Sequence, residues 1–312
     1  MPRPSEVHID AAMTDISVAY QNGMFIADQV APVVGVKKQS DKYYIIDAKR
    51  EGIRNQPTLR APGTEAFTAD FHYTNATYYC DDHALDGVIA DEDRANADKA
   101  IDLEIDVTEN TASKILLGKE IELASDLDTD ITATAAAAKY WTDDSSDPIT
   151  EVKTGIASIR DATGYVPNMA WCDFDVAQAL RDHASIIDRV KYSSSPGAPA
   201  ILTLDAIATV FGLEKLLVAS GQKNGAVLDA TASVTPIWGT TFYLGYTPSR
   251  PGLRTMALAY TFAWNFRGGK GGKVVKRRRD EGRESDILRV GYSYDQKTIT
   301  AGAGYRISAT IA

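Results

Sequence analysis

Residues 22–71 read NGMFIADQVAPVVGVKKQSDKYYIIDAKREGIRNQPTLRAPGTEAFTADF, and the fold turns on how this stretch is ordered. A short apolar lead (Met24, Phe25, Ile26, Val30, Val33, Val34) runs into roughly forty residues rich in Lys, Arg, Asp, Gly and Pro, well beyond the ~12–15 residues of an ordinary loop. Strand-grade residues mark its edges, Lys42 to Ile46 and Phe67 to Tyr73, while its middle has no core pattern. Tyr43, Tyr44, Ile45 and Ile46 argue against disorder. Pro57, Pro62 and Gly63 suit the tip of a hairpin. An ordered arm without a core of its own is expected to lie on something else, and a second copy of the chain is the nearest candidate.

The 312 residues suffice for one large or two ordinary domains, and 44% hydrophobic with 24% charged residues is the composition of a globular protein. No apolar run reaches the ~20 residues of a membrane span, so no membrane partner is expected. The first residues, MPRPSEVHIDAAMTD, hold no apolar signal core, which reads as a protein that is not secreted. Cys80 and Cys172 read as free thiols.

The net charge of −9 speaks against a dedicated nucleic-acid binder, but its distribution is uneven. Residues 81–130 hold sixteen Asp/Glu against four Lys/Arg, residues 35–80 seven Lys/Arg against five Asp/Glu, and KVVKRRRDEGR at 273–283 six basic against two acidic. Two readings stand: solvated faces that keep the protein soluble, or opposite patches through which identical chains meet. The contact candidates on the second reading are Lys37, Lys38, Lys42, Arg50, Arg54 and Arg60 in the loop. Against them stand Asp91, Glu92, Asp98 and Asp102 in the acidic segment, and Lys276, Arg277, Arg278 and Arg279 near the C-terminus.

From about Asp91 to Ser125 the period changes. Ala97, Ile101, Ile105, Thr108, Ala112, Ile115 and Leu116 recur at helical spacing, which predicts a helix of about thirty residues and about 45 Å. Residues 132–148 read as a loose loop. A helix from Pro148 closing at Gly164, a strand VPNMAWCDF, and a helix capped by Asp175 and carrying Val176, Leu180, His183 and Ile187 follow. Then come a short helix Leu204–Phe211, a strand Leu216–Ala219, strands between Val234 and Trp264, a flexible RGGKGGK link, and paired strands from Leu288 to Ile311.

No motif for chemistry survives inspection. GGKGGK at 268–273 is one residue short of a phosphate loop and has Val274 where Ser or Thr belongs. DLDTD at 126–130 lacks the Gly and Glu of a calcium loop, since Ile131 and Ala137 stand there, and reads as a helix end. His8, His72, His83 and His183 form no metal-spaced pair. Cys80-Asp81-Asp82-His83 reads as a surface turn, because adjacency does not orient a nucleophile. The run Lys276–Arg279 reads as an inter-subunit salt-bridge loop. No cofactor, metal or catalytic residue is expected.

The phrases IADQVAPVVGVKKQSDKYYIIDAKR and TLRAPGTEA resemble the N-terminal arm and extended loop of tailed-phage major capsid proteins. The acidic helix, VPNMAWCDFDVAQALRDH, LDAIATVFGLEKLLVAS, PIWGTTFYLGY and ILRVGYSYDQKTITAGAGYRI fit the same family in the same order. The resemblance implies a mixed α+β subunit of the Hong-Kong-97 type. It places an arm at 1–34, an extended β-hairpin loop at 35–80, a peripheral domain with a spine helix at 81–165, an axial domain at 166–260 and peripheral strands at 261–312. It implies hexamers and pentamers closing into an icosahedral shell around double-stranded DNA in the virion, assembled in the bacterial host cytoplasm. A portal and, from the short N-terminal extension, a separate scaffolding protein are the implied partners, the sequence leaves open whether a decoration protein joins them, and contact with DNA is expected to be weak and non-specific. Some members cross-link through a Lys and an Asn; Lys37, Lys38, Lys42 and Lys49 are present, but no motif marks a partner, and the sequence does not decide whether the bond forms. A nanocompartment shell of the same fold and a metal-dependent hydrolase using the acidic segment are the rival readings.

Overall fold

The computed structural model describes residues 13, 14, 16, 17, 23–46, 55, 58–66, 68, 73–96, 100–193, 202–226, 231–265 and 271–311. In chain order the elements are α1 (Ala27–Val30), β1 (Val33–Val36), β2 (Ser40–Ile46), β3 (Tyr73–Tyr79), β4 (Asp81–Ala90), α2 (Asp91–Asn96), α3 (Ala100–Asp130) and β5 (Thr134–Ala136). Then come α4 (Pro148–Thr163), β6 (Met169–Asp173), α5 (Phe174–Asp182), α6 (Ala184–Ser193), α7 (Leu204–Phe211), β7 (Lys215–Ala219) and β8 (Gln222–Asn224). The chain ends through β9 (Val234–Pro236), β10 (Phe242–Gly245), β11 (Ala259–Trp264), β12 (Lys273–Asp280), β13 (Ser285–Thr298) and β14 (Gly304–Ser308).

The long periodic run becomes the spine helix α3, 31 residues without a proline. Its stripe buries Thr108, Ala112 and Ile115, then Leu123 and Leu127 about two and three turns further on. The helix continues through DLDTD to Asp130, so that segment is a helix end. Capping follows local chemistry: Asp147 accepts from the amide of Thr150 ahead of Pro148, and Gly164 closes α4 in the left-handed conformation at φ 76°. Helix α7 has the predicted bounds, with Thr203 as cap and Gly212 at φ 74°.

Two five-stranded sheets share the spine helix. In the first, the 14-residue β13 is central. Strand β4 runs antiparallel along one side of it, from Ser285 opposite Ala90 to Tyr294 opposite Asp81. Strands β12 and β11 line the other side in succession, and β1 adds in parallel to β11. The second sheet has the order β5-β14-β10-β6-β7. Its β6, buried at every position, is the apolar run MAWCD, as a strand covered on both faces requires.

Several expectations need correction. Residues 26–46 are not coreless: Ile26, Val30, Ala31 and Val36 are buried, and Tyr43 and Tyr78 stack on Phe262 with ring centroids 5.3 and 4.7 Å away. The loop does form a hairpin, but β2 pairs with Tyr73–Tyr79; the expected edge Phe67–Tyr73 lies mostly outside the described residues. Cys80-Asp81-Asp82-His83 is no turn, since Asp81 opens β4. The loose loop contains β5 and the buried Trp141, whose indole donates to Glu151 at 2.8 Å. Asp173, not Asp175, caps α5, and the helix breaks at His183, a buried residue bonded to Ser146 and Ser185. The run Lys276–Arg279 is a strand, not a loop. Strand β14, although beyond residue 261, joins the sheet of β6, β7 and β10. The cluster of Ile149, Val152 and Ile159 likewise packs with that sheet rather than with the first. Most of the RGGKGGK link lies outside the described residues.

Two adjacent charges of the spine helix fasten the N-terminal segment. Glu120 is fully buried, and its carboxylate accepts from the amides of Ile26 (3.1 Å) and Ala27 (2.7 Å) and from the indole of Trp238 (2.7 Å). It thereby satisfies the open N–H groups at the start of α1. Burial raises its pKa against the lowering pull of those hydrogen bonds. Lys119, equally buried, pairs with Asp28 and reaches the Tyr292 hydroxyl at 3.4 Å. Burial alone would lower its pKa, but Tyr292 and Asp28 outweigh it and the net direction is upward.

Glu120→Ala leaves two backbone amides and an indole N–H without an acceptor, at about 1–3 kcal/mol for each buried donor. The expected outcome is a lower melting temperature together with faster protease cleavage around residues 23–31. Glu120→Gln, which keeps one acceptor oxygen, should lose less. Gly87 faces the spine helix so closely that a Cβ there would lie 2.4 Å from Val107 Cγ1. Gly87→Val should cost about 1–3 kcal/mol by overpacking, read from the melting temperature.

Candidate assembly surfaces

The basic strand meets the acidic segment inside one chain. Because β13 lies between β12 and β4, it brings Arg277, Arg278 and Arg279 to the carboxylates of residues 81–104. Arg289 grips Asp86 with two hydrogen bonds of 2.6 and 2.8 Å, and Arg278 adds a third at 3.2 Å. Arg277 reaches Asp286 at 2.7 Å and Glu104 at 3.4 Å, and Arg94 bonds the same two carboxylates. Arg279 holds Asp91 in a two-pronged pair, the geometry a guanidinium fork favours. Hydrogen bonds from Arg289 hold the Asp86 carboxyl below its ordinary range, and Arg279 does the same for Asp91. Burial would raise Asp286, but Arg277 and Arg94 carry it below its ordinary value.

The other sequence candidates are scattered. Lys37 and Lys38 are exposed on the bend between β1 and β2, where Lys38 pairs with Asp41 at 3.1 Å, and Lys42 is exposed on β2. Arg60 is exposed at the hairpin tip, and Glu92 is exposed on α2. Lys276 is half-buried beside Arg289 in the register of β12. Arg50, Arg54 and Asp98 lie outside the described residues, as does the side chain of Asp102.

The hairpin has a buried base and an exposed tip. At the base, the Cys80 thiol donates to the Phe262 carbonyl at 3.4 Å, and burial pushes its pKa up to about 12. The His83 ring stacks on Tyr294 instead of meeting that thiol, so no nucleophile pair exists there. Cys172 is also buried, and both cysteines are free thiols. At the tip, residues 58–66 are all exposed, and a turn closes from Ala61 to Thr64 with Gly63 at φ 84°. Leu59 is 90% exposed.

Sequence reasoning missed the Asp86–Arg289 and Arg277–Asp286 pairs. The signal that would find them is the strand character of β4, which its aspartates conceal. Asp286→Asn removes the charge shared by Arg94 and Arg277. It should destabilise the subunit by about 2–4 kcal/mol, below the ~3–5 of a fully buried pair because Arg277 is partly solvated. Depressed folded pKa values give stability that is present above the unfolded carboxylate value, about 3.9, and lost as pH falls through the lower folded values. The melting-temperature difference between the natural protein and Asp286→Asn should therefore hold from pH 8 to about 5 and close below about 4.

No family model matches the chain. It is 27% identical over 320 residues to the major capsid protein of Burkholderia phage BcepMu, spanning 99% of each chain. It is 29% identical over 238 residues to the major capsid protein of Pseudomonas phage JBD67, spanning 74% of each. Among solved structures, a phage-related protein from Bordetella bronchiseptica superposes with a TM-score of 0.77 at 22% identity, over 97% of this chain and 98% of that one. The capsid of cyanophage P-SCSP1u superposes with a TM-score of 0.60 at 10% identity, over 91% and 87%. By sequence along its whole length and by fold, this chain is a relative of the phage major capsid proteins and has the Hong-Kong-97-type capsid fold.

Proposed function

We propose that this chain is the shell subunit of a tailed-phage head, associating with itself as hexamers and pentamers of an icosahedral capsid around double-stranded DNA. The observation that carries the reading is the hairpin β2–β3. Its base is fixed in the subunit core, while its tip carries Leu59 at 90% exposure with no cover from its own chain. A tip of this kind has a use when a neighbouring copy receives it. The protein is structural rather than enzymatic, as its curated relatives are. Among the described residues no group of three His, Cys, Asp or Glu is placed to hold a metal ion, so the hydrolase reading gains no support.

The finer assignments belong to the same proposal. The subunit divides into an arm, a loop, a peripheral part and an axial part near 166–260. A separate scaffolding protein and a portal are its partners, and assembly takes place in the host cytoplasm. Contact with packaged DNA is weak and non-specific: the net charge is −9, and Arg277, Arg278 and Arg279 are occupied by carboxylates of their own chain. The inter-subunit role falls on Lys37, Lys38, Lys42, Arg50, Arg54 and Arg60. Their acidic counterparts are Glu92, Asp98 and Asp102, since Asp91 already holds Arg279.

Electron microscopy of the purified protein tests the reading. Shells or capsomers are expected, with stability that rises with concentration. Arg60→Glu, Arg54→Glu and Leu59→Asp should leave the melting of the dissociated subunit unchanged and lower the shell yield several-fold. A monomer stable across micromolar concentrations, or normal shells from all three variants, would count against it.

A further inference from the structure

Strand β12 is an edge of the first sheet: among the described residues it pairs with β13 alone. Val275 turns its amide away from β13, onto that free edge, where it donates to the Thr14 hydroxyl at 3.1 Å. In an antiparallel ladder the amides on either side, those of Val274 and Lys276, then face β13. The segment that carries Met13, Thr14, Ile16 and Ser17 thus lies across the edge. Met13 is buried with Ala112 and Ile115 of the spine helix and with Val275 and Val290 of the sheet, and Ile16 packs on the same cluster. At Ser17 the seat is poor. This residue is 1% exposed, and its hydroxyl has no hydrogen-bond partner. The cavity beside it measures about 10 Å³, the lower limit for one water, and its walls are largely apolar, with Ala112, Ile115, Leu116 and Val290 among them. Lys273, half-buried on the same cavity, donates to the Ser17 carbonyl at 3.3 Å but has no carboxylate within ion-pair distance among the described residues. Burial lowers its pKa; Asp28 opposes this and Lys119 adds to it.

We propose that this segment is a strap that lifts without the rest of the subunit unfolding, so that the free edge of β12 and the slot beside the spine helix exist in a covered and a bare state. Two opposing sets of contacts set the balance. Met13 and Ile16 hold the strap down by apolar burial, and Thr14 satisfies an edge amide. Ser17 and Lys273 pull the other way. With the strap seated, the hydroxyl and the ammonium lose water without full replacement, and lifting returns it. A buried hydroxyl left unpaired in a native structure is uncommon. Here its cost falls on a segment at the rim of the sheet that can move to relieve it. The inference concerns the single subunit and does not rest on the shell-forming role.

Hydrogen exchange in the full-length, dissociated subunit, resolved to single amides, is the test. The Val275 amide is expected to exchange about tenfold or more faster than those of Val274 and Lys276, and with a weaker dependence on denaturant, because little surface is exposed when the strap alone opens. Ser17→Ala removes the unpaired hydroxyl and should slow exchange at Val275 about fivefold. Ser17 is helical, and alanine also raises helix propensity. Ser17→Cys, which stays in the propensity class of serine but lacks the strongly hydrated hydroxyl, should therefore slow it as well. Met13→Ala, which weakens the apolar seat, should speed it several-fold. Equal rates with equal denaturant dependence at Val274, Val275 and Lys276 would show that the segment leaves only on global unfolding and overturn the proposal. So would slowing by Ser17→Ala without slowing by Ser17→Cys, or exchange at Val275 untouched by both.

Discussion

The subunit depends on a pair of buried charges side by side in the middle of a helix. A buried carboxylate or ammonium is costly unless its hydrogen bonds are met. Glu120 meets that condition only if Ile26, Ala27 and Trp238 stand where they do, and Lys119 only if Asp28 and Tyr292 do. The two residues point to different neighbours, Glu120 towards the cluster around Trp238 and Lys119 towards the first sheet through Tyr292. One turn of helix thus fixes the N-terminal segment, a tryptophan beside the second sheet and the central strand of the first sheet against one another. Apolar contacts tolerate sliding; directed bonds from a fully buried carboxylate do not. The register between the helix and the segment before Pro32 is accordingly set by polar geometry, while Leu123 and Leu127 supply the burial around it.

From that junction the rest follows in order. With residues 26–31 fixed, Val33–Val36 enters in parallel beside β11, and the chain turns into β2 where Tyr43 and Tyr78 meet Phe262. The hairpin therefore departs from an anchored base. This arrangement resolves the sequence puzzle of a long polar stretch with strand-grade edges. The aromatic residues serve the base, and the Pro-Gly residues shape a tip that has no core to join.

How much was legible in the sequence depended on whether an element's pattern was its own. The spine helix was readable from its period alone, and α4 and α7 because period, cap and terminating glycine lie within each segment. The β4 strand was not, since DDHALDGVIA carries three aspartates. Asp82 and Asp86 are acceptable in a strand because Ser293 and Arg289 sit opposite or beside them on β13. The same holds for the arginine-rich β12, whose charges look like a surface loop until their carboxylate partners are placed.

The charge pattern that suggested contacts between copies is thus largely consumed within one copy. Asp86, Asp91, Glu104 and Asp286 take Arg289, Arg278, Arg279, Arg277 and Arg94. A network of this kind is screened less by salt where it is partly buried, so the sheet edge it stiffens keeps its shape across ionic strengths. A shell subunit needs that property, because curvature is set by the angle at which rigid edges meet. Interfaces held mainly by exposed ion pairs would weaken with salt and contribute only ~0–1 kcal/mol each. Placing the arginines inside the subunit and an uncovered leucine at the hairpin tip separates the two tasks. The arginine network fixes the shape of the part, while the proposed joining of the parts falls to the exposed charges of the loop and to apolar burial, which does not depend on counterions.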